Sequence, residues 1–431
     1  MSAMTYPEML TVKRHFAAER EAPPEEAVPR ELEKLDLVRR VPAGASIALP
    51  VGSRGIHDLV PIVGSIVGAL REMGFEPFLV PAMGSHGGGT APGQLEVLDS
   101  LGITEGVVGA PIRASMKTVV VGETTRGLPV HVDRHAAEAD AILIVNRVKP
   151  HTEFRGEVES GLLKMMLIGL GKLEGAALYH RAAVQTGFST LAREAVSVVV
   201  RRTNVVGGLA IIENAREQTA RIAAVAVDEI FSREAELLGE AIRLMARLPF
   251  ESADVLLVDR MGKNLSGVGV DPNVTGRGSL DAWERRQDLR PPPAEVTRLV
   301  VRALTPETHG NALGVGLVDF IPRRLYDAID WDKTRLNAIT ALVPYKARCP
   351  IVLETDRECL ETALSTCGLI EPDSARIMHI ADTLNLEILR VSRAYEDEVT
   401  RRDDLEVLGR GETLRFDSEG ALLDPVTALL T

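Results

Sequence analysis

Lys164 stands in the run Gly161-Leu162-Leu163-Lys164-Met165-Met166-Leu167-Ile168-Gly169-Leu170, where an amine has few polar directions to turn. An unpartnered buried ammonium is strongly disfavoured. Such a lysine either carries its head to water on its flexible stem or gives up its proton and becomes nucleophilic. The run alone leaves both open. Lys172 is the weaker competitor, because it follows Gly169 and Gly171, where a helix is expected to end. Three histidines have comparable settings: His86 in the loop Gly84-Ser85-His86-Gly87-Gly88-Gly89-Thr90, His151 after Lys149-Pro150, and His180 at the end of a long apolar helix. Imidazole exchanges a proton near neutral pH and offers a nitrogen to a transition metal. Each histidine alone reads as an ordinary loop residue; their joint placement on one side of the expected sheet points to acid-base or metal-ligand work.

Two loops add binding chemistry. The glycines before Thr90 would let backbone N–H groups approach an anion at a helix start, although a tight turn explains them as well. The loop is neither a dinucleotide fingerprint nor a P-loop, so a standard nucleoside triphosphate site is not indicated. Later, Lys263, Asn264, Ser266, Asp271, Asn273 and Arg277 alternate with Gly262, Gly267, Gly269 and Gly276. Those cations and amides suit a carboxylate and several hydroxyls, while a solvated loop is the plain alternative.

The elements that must position these residues follow a βα rhythm from Ser46 onward. Strands are expected over 46–51, 76–81, 141–145, 205–212 and 222–227, with helices over 58–73, from 94, and over 233–247. A second series begins with strands at 253–258 and 296–303, the latter after the triple proline at 291–293, and helices at 325–329 and 357–367. The fold class is therefore α/β: two α/β domains with mostly parallel sheets, bounded near 250, behind an N-terminal arm over 1–45. Ligands of parallel sheets gather where strands end at their carboxyl side, which is where the loops of His86 and His151 lie. The active site is expected in the interdomain cleft.

Composition narrows the function class. A length of 431 residues favours two domains. A formal charge of -12 with only 4% aromatic residues argues against nucleic acid as partner. No apolar leader or membrane anchor is evident near the N-terminus, so the cytoplasm is the expected location and no membrane partner is implied. Cys349, Cys359 and Cys367 lack CxxC spacing and read as reduced core thiols.

In order and spacing, Gly-Ser-Arg-Gly at 52–55, Gly-Ser-His at 84–86, Lys-Pro-His at 149–151, Ser-Gly-Leu-Leu-Lys at 160–164 and then His180 resemble the nickel-pincer nucleotide-dependent lactate racemase family. The match spans about Pro50 to His180. The resemblance implies an isomerase that inverts C2 of a 2-hydroxy acid by proton-coupled hydride transfer to a nickel-pincer nucleotide. That cofactor is a pyridinium mononucleotide binding nickel through two sulfurs and a ring carbon, joined to the position of Lys164 by a thioamide bond. His180 then matches the protein ligand of nickel, His86 and His151 the paired acid-base residues, and Arg54 an arginine beside substrate and cofactor. Ser53, Gly87, Gly88 and Thr90 are candidate phosphate contacts. Arg54 and Lys263 would clamp the substrate carboxylate, with Asn264, Asn273 and Arg277 as further substrate contacts. Two departures stand out: Glu159-Ser160-Gly161-Leu162-Leu163 replaces the family's glycine-rich stretch before the lysine, and the 262–277 loop has no counterpart among its lactate-binding residues. The polarity of that loop makes a sugar acid the expected substrate rather than lactate. Two rival readings are a zinc-dependent hydrolase using His86, His151 and His180, and a non-catalytic organic-acid binding protein.

Overall fold

The computed structural model describes residues 5–17, 19–278, 293–368 and 371–430. Pro291 and Pro292 of the proline separator lie outside them. The chain divides into two compact units. The first is built from residues 17–245, and the second from 5–16 together with 246–278 and 293–430. The N-terminal segment is therefore not an arm. Its strand Glu8–Arg14 pairs antiparallel with Ile388–Ser392 and Leu405–Thr413 in the second unit. Its helix Pro24–Glu33 buries Ala27, Val28 and Leu32 in the core of the first unit. Charge and proline had masked this: the strand's Met9, Leu10 and Val12 are only a short apolar run, yet all three are buried.

The first unit holds a five-stranded sheet in the order Glu76–Pro81, Ser46–Val51, Ala141–Arg147, Val205–Glu213, Thr219–Ala226. The first four strands run parallel and the last is antiparallel. Their near-continuous Val, Ile, Leu and Ala runs are buried, as parallel strands covered on both faces require. Helix Leu59–Glu72 covers one face with Ile62, Val63, Ile66, Val67 and Leu70, spaced by helical periodicity, and Gly74 turns the chain out at φ +87. The hairpin Thr118–Glu123 with Pro129–Asp133 was not foreseen. Strand 46–51 is followed in space by strand 76–81 on one side and by strand 141–147 on the other, so the sheet reverses its direction of winding there. Between strands 46–51 and 141–147 the ladder joins only Ile47 to Ala141 and Ala48 to Ile142. Beyond that point the two strands part toward their carboxyl ends, which opens a crevice at the switch point.

Among the described residues the second unit holds one mixed eight-stranded sheet. Five strands, including Ser252–Met261 and Glu295–Leu304, are parallel, and three are antiparallel at one edge. Inside it Arg302 donates to Asp259 and Asp356, and the fully buried His379 meets Asp259 at 2.7 Å. Cys359 is buried, but Cys349 is exposed and so is no core thiol. Among the described residues no helix is long and apolar enough to cross a membrane.

Candidate active site

The crevice of the first unit is a cavity walled by Pro50 to Arg54 from one strand exit, Ala82, Met83 and His86 from the next, and Val145 to Arg147 from the third. Ser160, Lys164, Met165, Ile168 and Gly169 close it. Three loops from three parallel strands thus meet, as their sequence positions suggested. Ser53, Arg54, His86 and Lys164 share this wall.

The segment carrying Lys164 is not one long helix. It forms a helical turn Leu162–Lys164, a π-helical turn Met165–Gly169 closed by Leu170 N–H to the Met165 carbonyl at 2.9 Å, and then helix Lys172–Thr186. Glycine is required at two of these positions. A Cβ on Gly169 would lie 2.8 Å from the Ala82 carbonyl oxygen, and one on Gly171 would lie 2.3 Å from that of Leu167. The wide turn presses against the loop after strand 76–81, a place where helices commonly accommodate function. His180 consequently sits within a helix rather than at the end of one.

Burial against the apolar wall, with Arg54 adding repulsion, lowers the Lys164 amine to about 7. Burial, and then Lys164 itself, lowers His180 to about 4, so its ring is neutral at physiological pH. Partial desolvation at the cavity rim, and then the neighbouring Arg147, also lower the Arg54 guanidinium, which has no carboxylate partner among the described residues. Arg147 is neutralised by Glu213. Arg54 and Lys164 thus share the wall, and the buried carboxylate of Glu159 acts on Lys164 from nearby. Glu159 also accepts the His151 backbone N–H at 2.7 Å.

The two loop histidines are held in complementary ways. His86 Nδ1 lies 2.8 Å from the Met83 carbonyl, which can only accept, so Nδ1 carries a proton, and in the neutral ring Nε2 holds the lone pair. His151 Nδ1 instead accepts the backbone N–H groups of Glu153 and Phe154 at 3.0 and 3.1 Å, so in the neutral ring Nε2 carries the proton. Phe154 stacks on His151 at 4.3 Å and meets the His180 ring edge-on at 6.1 Å, linking the two histidines. Among the described residues no group of three or more His, Cys, Asp or Glu side chains is placed to hold a metal. His86, His151 and His180 therefore do not form the three-ligand zinc set of the hydrolase reading.

Other sequence candidates have different tasks. Thr90 Oγ1 accepts the Gly93 N–H and donates to the Gly87 carbonyl, so its hydroxyl is committed to capping helix Ala91–Ser100. Gly87 and Gly88 form a turn at positive φ outside the cavity wall, and a Cβ on Gly87 would strike the Gly93 backbone. Lys172 is fully buried, 3.0 Å from Asp133, and donates to the Pro81 carbonyl and to Gln94. It is a structural ion pair rather than a rival to Lys164. In the second unit, Lys263 donates to Asn337 at 2.5 Å and Asn264 accepts from Thr305 at 2.6 Å, at the carboxyl ends of strands 252–261 and 295–304. Arg277 instead pairs with Asp319 and the Thr297 carbonyl, near the start of strand 295–304. About six residues of strand, roughly 20 Å, separate those levels, so one small acid does not reach both. Asn273 turns back onto Asp271 at 2.9 Å, a local Asx turn.

Sequence reasoning missed Asn146, Arg147, Glu159 and Glu234. The last is a fully buried carboxylate on the apolar stripe Ile230, Leu237, Leu238, Ala241 and Leu244. A lone Glu on such a stripe is a readable signal of a hidden partner.

Residues 53–190 match the family described as the lactate racemase N-terminal domain. Over that stretch the first unit is similar to a lactate racemase N-terminal domain. The matched stretch contains Ser53, Arg54, His86, His151, Lys164 and His180. Among solved structures, the chain is similar to the lactate racemase apoprotein from Thermoanaerobacterium thermosaccharolyticum, with a TM-score of 0.48 and 11% identity over 82% of this chain and 90% of that one. No curated protein matches the chain.

Proposed function

We propose that the chain is a racemase or epimerase that inverts C2 of a 2-hydroxy acid, with a nickel-pincer nucleotide tethered to Lys164 and bound through nickel by His180. What supports this reading is that Lys164 and His180, both within the stretch similar to a lactate racemase N-terminal domain, are each held by burial well below their usual proton affinity. A thioamide requires the lysine nitrogen as a free amine, and burial brings that amine to about 7. A nickel ligand must be unprotonated imidazole, and His180, lowered to about 4, is so held. The residues present therefore fit the group. Arg54, exposed at the cavity rim without a carboxylate partner, is the cation available for a phosphate or a substrate carboxylate, and Ser53 stands beside it.

The chemistry such a group supplies is reversible uptake of the C2 hydrogen with its electron pair. The protein's part is proton handling and orientation. His86 offers Nε2 to take the hydroxyl proton of the substrate, while Met83 fixes its ring. His151 presents Nε2–H, so it donates to oxygen rather than competing for the same proton. Arg54 holds the carboxylate so that C2 can be reached from either face.

A sugar acid remains our substrate proposal, supported by Lys263, Asn264, Thr305, Asn311 and Asn337, which concentrate an amine, amides and a hydroxyl at strand carboxyl ends. The test is intact mass and nickel analysis of protein produced with the cofactor-making machinery, followed by peptide mapping. A nucleotide-sized adduct on Lys164, with nickel lost in His180→Ala but the adduct kept, is the expected result. An unmodified Lys164 without nickel overturns the reading, and turnover of lactate but of no polyhydroxy acid overturns the substrate class.

A further inference from the structure

The helical turn that carries Lys164 begins at a point where the chain is gripped from two sides. On one side Asn146 Nδ2 donates to the Gly161 carbonyl at 2.8 Å. On the other, the carboxylate of Glu234, brought in by helix Ile230–Leu244, accepts the Leu163 N–H at 2.9 Å and also the Leu162 N–H. Those two amides are the first of the turn and have no partner within it. Gly161 leaves room for this approach: a Cβ there would lie 2.6 Å from the Glu234 carboxylate. A glutamate side chain on an apolar helix face, 1% exposed, has been recruited from about seventy residues away to hold one short turn. Leu163 N and the Lys164 backbone are adjacent, so the grip holds the backbone from which the Lys164 side chain reaches the cavity wall.

We infer that Glu234 is a positioning residue for Lys164, fixing the turn from which the amine reaches the cavity. This rests on the reading of Lys164 as the tethering residue. Burial raises the Glu234 carboxyl to about 7 even against two amide donors, so its place in the core is costly and is retained for the contacts it makes. Asn146 completes the grip and itself lines the cavity.

The test uses the full-length chain without cofactor. Acylation of Lys164 is followed against pH by peptide mass mapping and normalised to exposed Lys333 in the same molecules. Deleting a carboxylate would by electrostatics alone lower the midpoint of a nearby amine. Displacing the amine from its apolar wall raises it toward that of an ordinary lysine, so the sign of the shift separates the two. Glu234→Ala is expected to raise the Lys164 midpoint by about one unit or more. Glu234→Gln, which keeps an oxygen for the Leu163 N–H, should return it to within about half a unit. Gly161→Ala should raise the midpoint in the native background and add nothing when combined with Glu234→Ala, because both act on one contact. An unchanged or lowered midpoint in Glu234→Ala, or full additivity with Gly161→Ala, overturns the inference. Should Glu234→Ala unfold, acylation of the buried Lys172 reveals it, and the other two variants decide. If these shifts occur but Lys164 never acquires an adduct with the cofactor-making machinery present, the tether reading fails and the positioning role stands.

Discussion

Lys164 and Lys172 are eight residues apart and both lie in apolar sequence, yet the first unit treats them in opposite ways. Burial lowers the Lys172 amine too, but Asp133 at 3.0 Å offsets it, and the Pro81 carbonyl and Gln94 accept its protons. Lys164 faces a cavity shared with Arg54 and Arg147, and among the described residues Glu159 is the one charge acting in its favour. One ammonium is matched and locks three segments together; the other is held where its proton is easily lost. The difference shows that a buried lysine is read as structural or reactive by its partners, not by the hydrophobicity of its neighbours.

Exchanging the two residues' fates is the sharpest way to break that comparison. Lys164→Ala should abolish the Lys164 adduct completely while the chain keeps its cooperative melt, as intact mass and circular dichroism would show. Lys172→Ala should do the reverse in kind, costing about 3–5 kcal/mol in urea denaturation because Asp133 is left buried and unpaired. If Lys172→Ala is neutral, or if it removes the adduct while leaving stability intact, the structural assignment of Lys172 fails. Replacing Lys172 by Met together with Asp133 by Leu should recover most of that loss, since a buried pair often gives way to apolar residues at little net cost.

A smaller effect lies in the pH dependence of stability. With the Lys164 amine at about 7 in the folded chain and 10.5 as its ordinary value, the unfolded chain binds more protons between those limits. Stability should therefore rise with pH through that window, and Lys164→Met should flatten the rise in a series of urea midpoints. An unchanged slope would show that the amine is not desolvated. The smallest expected effect concerns the glycine loop: Thr90→Ala should cost about 1 kcal/mol through the lost helix cap and leave cofactor retention unchanged. Loss of the adduct's retention instead would return Thr90 to the phosphate site.

Much of this was legible because its physics is local. The strands 46–51 and 76–81 coincide with their expected bounds, since short buried apolar runs leading into glycine-containing loops are marked by neighbouring residues alone. His86, His151 and Lys164 follow strand ends or an apolar run that sequence marks directly. Thr90 caps a helix because a hydroxyl before a helix serves a cap as readily as an anion, and Arg277 pairs away from Lys263 because sequence proximity does not keep residues at one end of a strand.

By itself the sequence determined the α/β rhythm, the ordered motifs and the presence of one unusual lysine, because periodicity, turn residues and residue chemistry are properties of neighbouring positions. Only the tertiary structure decided which lysine is paired, which ring nitrogen of each loop histidine holds the proton, and that Glu234 grips the turn before Lys164. Those depend on atoms from distant segments meeting within hydrogen-bond distance, where burial removes the water that would otherwise make every partner equivalent.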